Sequence, residues 1–351
     1  MGNKDSFTRE ELTSVRCLCI IGIVLSHSYI PGLYETGYLW RVPILFLLGG
    51  LSLIPTRKTT DTAIYVFKSF YMYTCISSAA YMAAVFFVYN GQPNKIISDY
   101  NFYSIFLTDI FKGNNHTNAL ILGSWFLIPY SISLLILTKS KKIIGKFKTI
   151  QLFIIFSSFI LSLYLIESTV PSWKQRLIAQ TSAAMGFMML GYFTFTNRKT
   201  ISFIKNGWTV ALSTMGAFWI WSAFNRPGIV WSWMKGLGDA YWYSFLATIL
   251  FIPAIFWIGT KFSNYKTVIM IGKNSKHIMV HHLFGFFLVN LCLSMLGYIS
   301  LNDVHVFYIF KPKSLWPIYF MSGIMWSLAV STSLETIKKL YQPRSHALAV
   351  T

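Results

Sequence analysis

The chain is 351 residues long, 54% of them hydrophobic and only 12% charged, with a formal charge of +19. A soluble domain carries about a quarter charged residues, so this composition, with its mean hydropathy of +0.53, excludes an ordinary water-soluble fold. It also excludes a nucleic-acid binder, which needs basic residues gathered on a polar face; here they sit in short segments between long apolar runs.

A helix that crosses the hydrocarbon of a bilayer needs about 20 apolar residues. On that basis ten membrane helices are predicted, over 13–31, 39–55, 64–89, 118–138, 149–167, 176–196, 208–225, 240–260, 277–300 and 315–334. No repeat, linker or low-complexity stretch divides them, so 1–351 reads as one all-α bundle. The first dozen residues are polar and the first apolar run lacks a small-residue cleavage site, which predicts a retained first span rather than a removed signal. Cys17, Cys19, Cys75 and Cys292 fall inside apolar segments without zinc-ligand or disulfide spacing, and read as packing residues.

Lys and Arg placement sets the predicted sidedness. With the N-terminus in the cytoplasm, 21 of the 30 basic residues fall on the cytoplasmic side and 9, Arg41 among them, on the other. That positive-inside bias predicts an even number of spans with both termini cytoplasmic.

Ionisable groups within the membrane are costly and therefore candidates for function. The first span holds two, Arg16 and His27. Eleven residues apart, they return almost to one helical face, about 16 Å apart along the axis. Arg16 alone reads equally well as a snorkelling anchor, and His27 alone as a satisfied interior group. Together they fit acyl transfer: an imidazole accepts a proton from a hydroxyl or carries an acyl group, and a guanidinium holds a phosphate or polarises a carbonyl.

The longest segment between spans, 90–117, holds Asp99, Asp109, Asn114, Asn115 and His116 and leads into Trp125, while 226–243 adds Trp231, Trp233 and Trp242. These compositions suit sugar stacking, and suit an interfacial aromatic belt better. Late in the chain, His277, His281 and His282 stand near the cytoplasmic start of the ninth span. Adjacent helical residues point about 100° apart, so one of His281 and His282 faces a shared cavity, and His281 is preferred. A metal on His277 and His281, at helical i,i+4 spacing, is disfavoured because no acidic ligand lies close in sequence.

An arginine, ten residues and a histidine in the first span resemble the signature of the acyltransferase-3 family of membrane O-acyltransferases. VPILFLLGGLSL at 42–53, with Pro43, Phe46 and Gly50, is similar to its second-span segment; Trp125, Phe126 and Leu127 to its Trp-Phe-Leu span; and IGKNSKHIMVHHLFG at 271–285 to its late Gly-Ser-His segment. Gly49 stands where the family has a serine, and no acidic residue follows Trp125 before Leu137. The resemblance implies the stand-alone form, without an appended esterase-like domain, in a bacterial inner membrane. It implies transfer of an acyl group, acetyl above all, from cytoplasmic acyl-coenzyme A to a hydroxyl of a surface polysaccharide or lipid-linked glycan. His27 would be general base or transient acyl carrier and Arg16 would position the donor. Arg57, Lys58 and Lys68 would draw its nucleotide phosphates, with Trp125, His281, His282 and His116 shaping the cavity. The competing expectations are a non-enzymatic transporter or flippase of lipid-linked sugars, which often shows internal repeats and broken helices, and a glycan polymerase or ligase.

Overall fold

The computed structural model describes residues 6–28, 40–53, 58–89, 126–166, 172–223, 241–301, 304 and 313–341. Among them the chain is helical and contains no strand. Its helices are α1 (Arg9–His27), α2 (Arg41–Gly49), α3 (Thr59–Val66), α4 (Tyr73–Val88), α5 (Leu127–Ile144), α6 (Lys148–Ile166), α7 (Trp173–Thr196), α8 (Arg198–Lys205), α9 (Gly207–Ala223), α10 (Tyr241–Phe262), α11 (Lys266–Lys273), α12 (Ser275–Met295) and α13 (Trp316–Tyr341). Each of the ten apolar segments overlaps one or more of them. Four stretches are long and apolar enough to cross a membrane: Thr59–Val88, Lys148–Leu165, Phe245–Phe262 and Ser275–Met295.

Local chemistry sets the ends. Thr8 caps α1 through a reciprocal pair of hydrogen bonds with Glu11, and the acidic Glu10 and Glu11 suit the positive end of the helix dipole. Ser172 and Gln175 form the same box at the start of α7. Lys205, at the end of α8, pairs with Glu11 at 3.2 Å and lies over the Phe7 ring, tying α8 to the entry of α1.

Packing inverts the rule for water-soluble proteins. Phe153 on α6 and Trp219 on α9 are each 71% exposed, with Phe156, Tyr164, Met215 and Trp208 beside them on the same helices. In water such a surface would aggregate; against lipid it costs nothing. Between helices, small residues allow close approach, because lipid offers no hydrophobic drive for helices to associate and contact must come from fit. A Cβ on Gly191 of α7 would stand 1.9 Å from the Leu47 carbonyl oxygen of α2, and one on Gly272 of α11 would stand 2.1 Å from the Thr13 carbonyl of α1.

α1 is the hub, in contact with α2, α10, α11, α12 and α13. Its length from Thr13 to Ser26 is largely buried, Val15, Cys17, Cys19, Ile20 and Val24 completely. α12 is the other interior helix, 61% buried against 22% for the peripheral α6. Between α3 and α4 the backbone makes a π-helical turn over Phe67–Met72, immediately before Tyr73. Single π-turns inside α-helices often mark functional positions.

Candidate functional site

His27 is the last residue of α1 and is partly buried. The hydroxyls flanking it turn back on their own helix: Ser26 Oγ donates to the Ile23 carbonyl at 2.6 Å and Ser28 Oγ to that of Val24 at 2.8 Å. What the His27 ring faces is a second imidazole. The centroids of His27 and His282 are 5.3 Å apart, with the rings tilted by 38°.

His282, on α12, is wholly buried. Its Nδ1 lies 2.9 Å from the Ile278 carbonyl and 3.1 Å from that of Met279. Carbonyl oxygens only accept, so Nδ1 carries the proton and Nε2 presents a lone pair. Among the described residues that buried Nε2 has no hydrogen-bond partner. Most buried polar atoms are satisfied, so an acceptor left over beside another imidazole is a candidate for chemistry.

The cation next to this pair is Arg41, the first residue of α2 and only 3% exposed. Its side chain lies against α1: a Cβ at Gly22 would stand 2.7 Å from Arg41 Nε. Its charge acts on both Cys19 and His27, and its guanidinium lies 5.9 Å from the Trp40 ring centroid. The sequence placed Arg41 at the outer end of the second span as a topology marker. Its side chain is nonetheless buried, because a long side chain anchored at a helix end can run back along a neighbouring helix. Arg16 is partly buried near the other end of α1, and no contact joins it to His27 among the described residues.

It is therefore His282, not the preferred His281, whose ring meets His27. The two point to different neighbours. Both ring nitrogens of His281 are engaged, Nε2 by the Tyr73 hydroxyl and Nδ1 by that of Tyr81. Tyr73 also meets His277 Nδ1, Trp326 Nε1–H donates to Tyr81 Oη at 3.1 Å, and the Tyr81 ring stacks on Phe284 at 3.9 Å. Sequence reasoning missed Tyr73, Tyr81, Trp326 and Arg41. The eight-residue spacing of the tyrosines is a weak helical signal, and their partners lie some two hundred positions away.

Of the other candidates, Lys58 and Lys68 are exposed to solvent, while Arg57, His116 and Trp125 lie outside the described residues. Two of the segments singled out in the sequence meet: Phe46 and Phe126 have ring centroids 6.2 Å apart. At Gly49 a Cβ would fall 2.8 Å from Tyr130 Cε2 and 3.1 Å from Met188 Cε, so the position is filled by neighbours and has no room for a hydroxyl.

A neutral imidazole beside a second imidazole with a free lone pair, next to a buried guanidinium, can take a proton from a bound hydroxyl and stabilise the oxyanion that follows. Comparison of the chain with protein-family models, curated proteins and solved structures finds no match.

Proposed function

We propose that this chain is a multi-pass membrane O-acyltransferase, with ten spans and both termini in the cytoplasm of a bacterial inner membrane. It moves an acyl group, acetyl above all, from cytoplasmic acyl-coenzyme A to a hydroxyl of a surface polysaccharide or lipid-linked glycan. The observation that carries this reading is the facing pair of His27 and His282 with Arg41 against the same helix. The resemblance of four segments to the acyltransferase-3 family gives it its substrate class.

In the proposed step the acceptor hydroxyl gives its proton to an imidazole as its oxygen attacks the thioester carbon. The new C–O bond forms, the C–S bond breaks, and the proton passes to the departing thiolate, so ester and free coenzyme A balance the reaction. His27 acts as base, or first takes the acyl group on nitrogen and hands it on. Arg41 lies closer to the reacting centre than Arg16 and stabilises the oxyanion. Arg16 holds the donor on its way in, and the exposed Lys58 and Lys68, with Arg57, raise the donor's local concentration by long-range attraction.

The test is release of free coenzyme A thiol by the purified full chain in lipid nanodiscs, with acetyl-coenzyme A and the glycan acceptor supplied. The proposal requires thiol release matched by ester formation, lost in a normally inserted His27→Ala variant. Glycan translocation without thiol release would instead favour the transporter reading.

A further inference from the structure

Beyond acyl transfer, the hydrogen-bonded chain on α12 leads to a second site. Trp326 Nε1 can only donate, and it donates to Tyr81 Oη. Suppose His281 Nδ1 also donated to that oxygen. The Tyr81 hydroxyl proton would then have no acceptor among the described residues. The arrangement that satisfies every member runs one way: Tyr81 O–H donates to His281 Nδ1, His281 Nε2–H to Tyr73 Oη, and Tyr73 O–H to His277 Nδ1. His277 therefore carries its proton on Nε2. A tryptophan some fifty residues away in sequence fixes this tautomer.

His277 lines a cavity of about 800 Å³ formed by α11, the start of α12, α13 and the first turn of α1. The volume suits a small organic ligand. Lys266 and Lys273, seven residues apart on α11 and so on one face of it, line the same space. Glu10 and Glu335 also line it, yet among the described residues neither forms an ion pair with these lysines. The Asn274 wall is fixed: its Nδ2 donates to the Met270 carbonyl at 2.9 Å, and its Oδ1 accepts from Ser331.

We infer that this cavity binds a phosphate group, with the two ammonium groups of Lys266 and Lys273 and the Nε2–H of His277 as its donors. Charge-assisted hydrogen bonds from these groups, two on one face of α11 and one on α12, match phosphate oxygens, which only accept. The carboxylates of Glu10 and Glu335, the second of which acts on His277, offer acceptors to N–H groups of the ligand. On the proposed topology the site faces the cytoplasm. A phosphorylated nucleotide and a phosphomonoester lipid headgroup of the inner leaflet share this chemistry.

Calorimetric titration of the full chain in phosphatidylcholine nanodiscs tests the site without turnover, so failure of acyl transfer leaves the result readable. Coenzyme A is the nucleotide probe, inorganic phosphate its competitor, and nanodiscs containing phosphatidic acid the lipid arm. In a Lys266→Gln, Lys273→Gln double variant, whose side chains are exposed and whose folding is checked by thermal melt, affinity should fall about tenfold or more. Tyr73→Phe should weaken it about threefold and release the tautomer, read as a changed ¹⁵N signal of His277. Coenzyme A binding displaced by inorganic phosphate supports the site with a nucleotide as its source. Competition by phosphatidic acid supports it with a lipid as its source. Wild-type affinity in the double lysine variant, or no binding of any probe by the wild type, overturns it.

Discussion

His281 and His282 are neighbours in sequence, equally buried, on one turn of one helix, and they do different work. His281 is closed: two tyrosines occupy both nitrogens, and Trp326 locks one of the tyrosines from behind. His282 is half open: its own helix holds Nδ1, while among the described residues the buried Nε2 has no hydrogen-bond partner and the His27 ring lies 5.3 Å away between centroids. A buried histidine is thus not a site by virtue of burial. What distinguishes the candidate is a nitrogen that the fold has left without a partner, beside another group of matching chemistry. The closed histidine serves α3–α4, α12 and α13 as a strut, and the open one serves the reaction proposed above.

The largest loss of function is expected at His27. Its replacement by Ala should lower acyl transfer by about a hundredfold or more, the scale of a lost general base, with insertion unchanged. Next comes Arg41→Ala, expected to cost about tenfold to a hundredfold in turnover, as loss of an oxyanion-stabilising cation would. Arg41→Lys should recover little of it, because an ammonium does not reproduce a planar fork.

Third, the two adjacent histidines should separate by kind of defect. His282→Phe keeps an aromatic ring at the position and should lose about tenfold in activity with near-normal melting. His281→Phe leaves the Tyr81 hydroxyl proton without its acceptor and takes a donor from Tyr73 Oη, which should cost about 1–3 kcal/mol of stability, with turnover per folded molecule much less affected. Thermal melts beside thiol-release assays decide it, and equal behaviour of the two variants would remove the distinction. Gly22→Ala should give a smaller change. The added Cβ meets the flexible end of Arg41, which can swing aside, so activity should fall only a few-fold. Smallest of all is Lys68→Gln, at an exposed position, where only the salt dependence of donor capture should move.

The helices were legible because the hydrocarbon thickness imposes a length and a composition that few other constraints imitate. His27 stood out in the sequence for a related reason, since an imidazole inside an apolar run needs an explanation. Arg41 was not, because it begins its helix where the positive-inside rule expects an anchor, and nothing local shows that its side chain turns inward against Gly22. The choice between His281 and His282 was also beyond the sequence: their directions differ by about 100°, and only the positions of α1 and α4 decide which direction is which. The tyrosines that close His281 are joined to it across two hundred residues, a pairing with no local trace. The π-turn before Tyr73 likewise falls where FKSFYM carries no breaker residue to announce it.

In the proposed reaction His27 and His282 act as a unit. A double-mutant cycle on acyl transfer tests it most directly, with His27→Ala, His282→Ala and the double variant assayed in the same nanodiscs. If the two imidazoles share one reacting centre, the double variant should be no slower than His27→Ala alone, because the second substitution removes a partner whose role has already gone. Losses that multiply independently would show that the two imidazoles do not share one reacting centre.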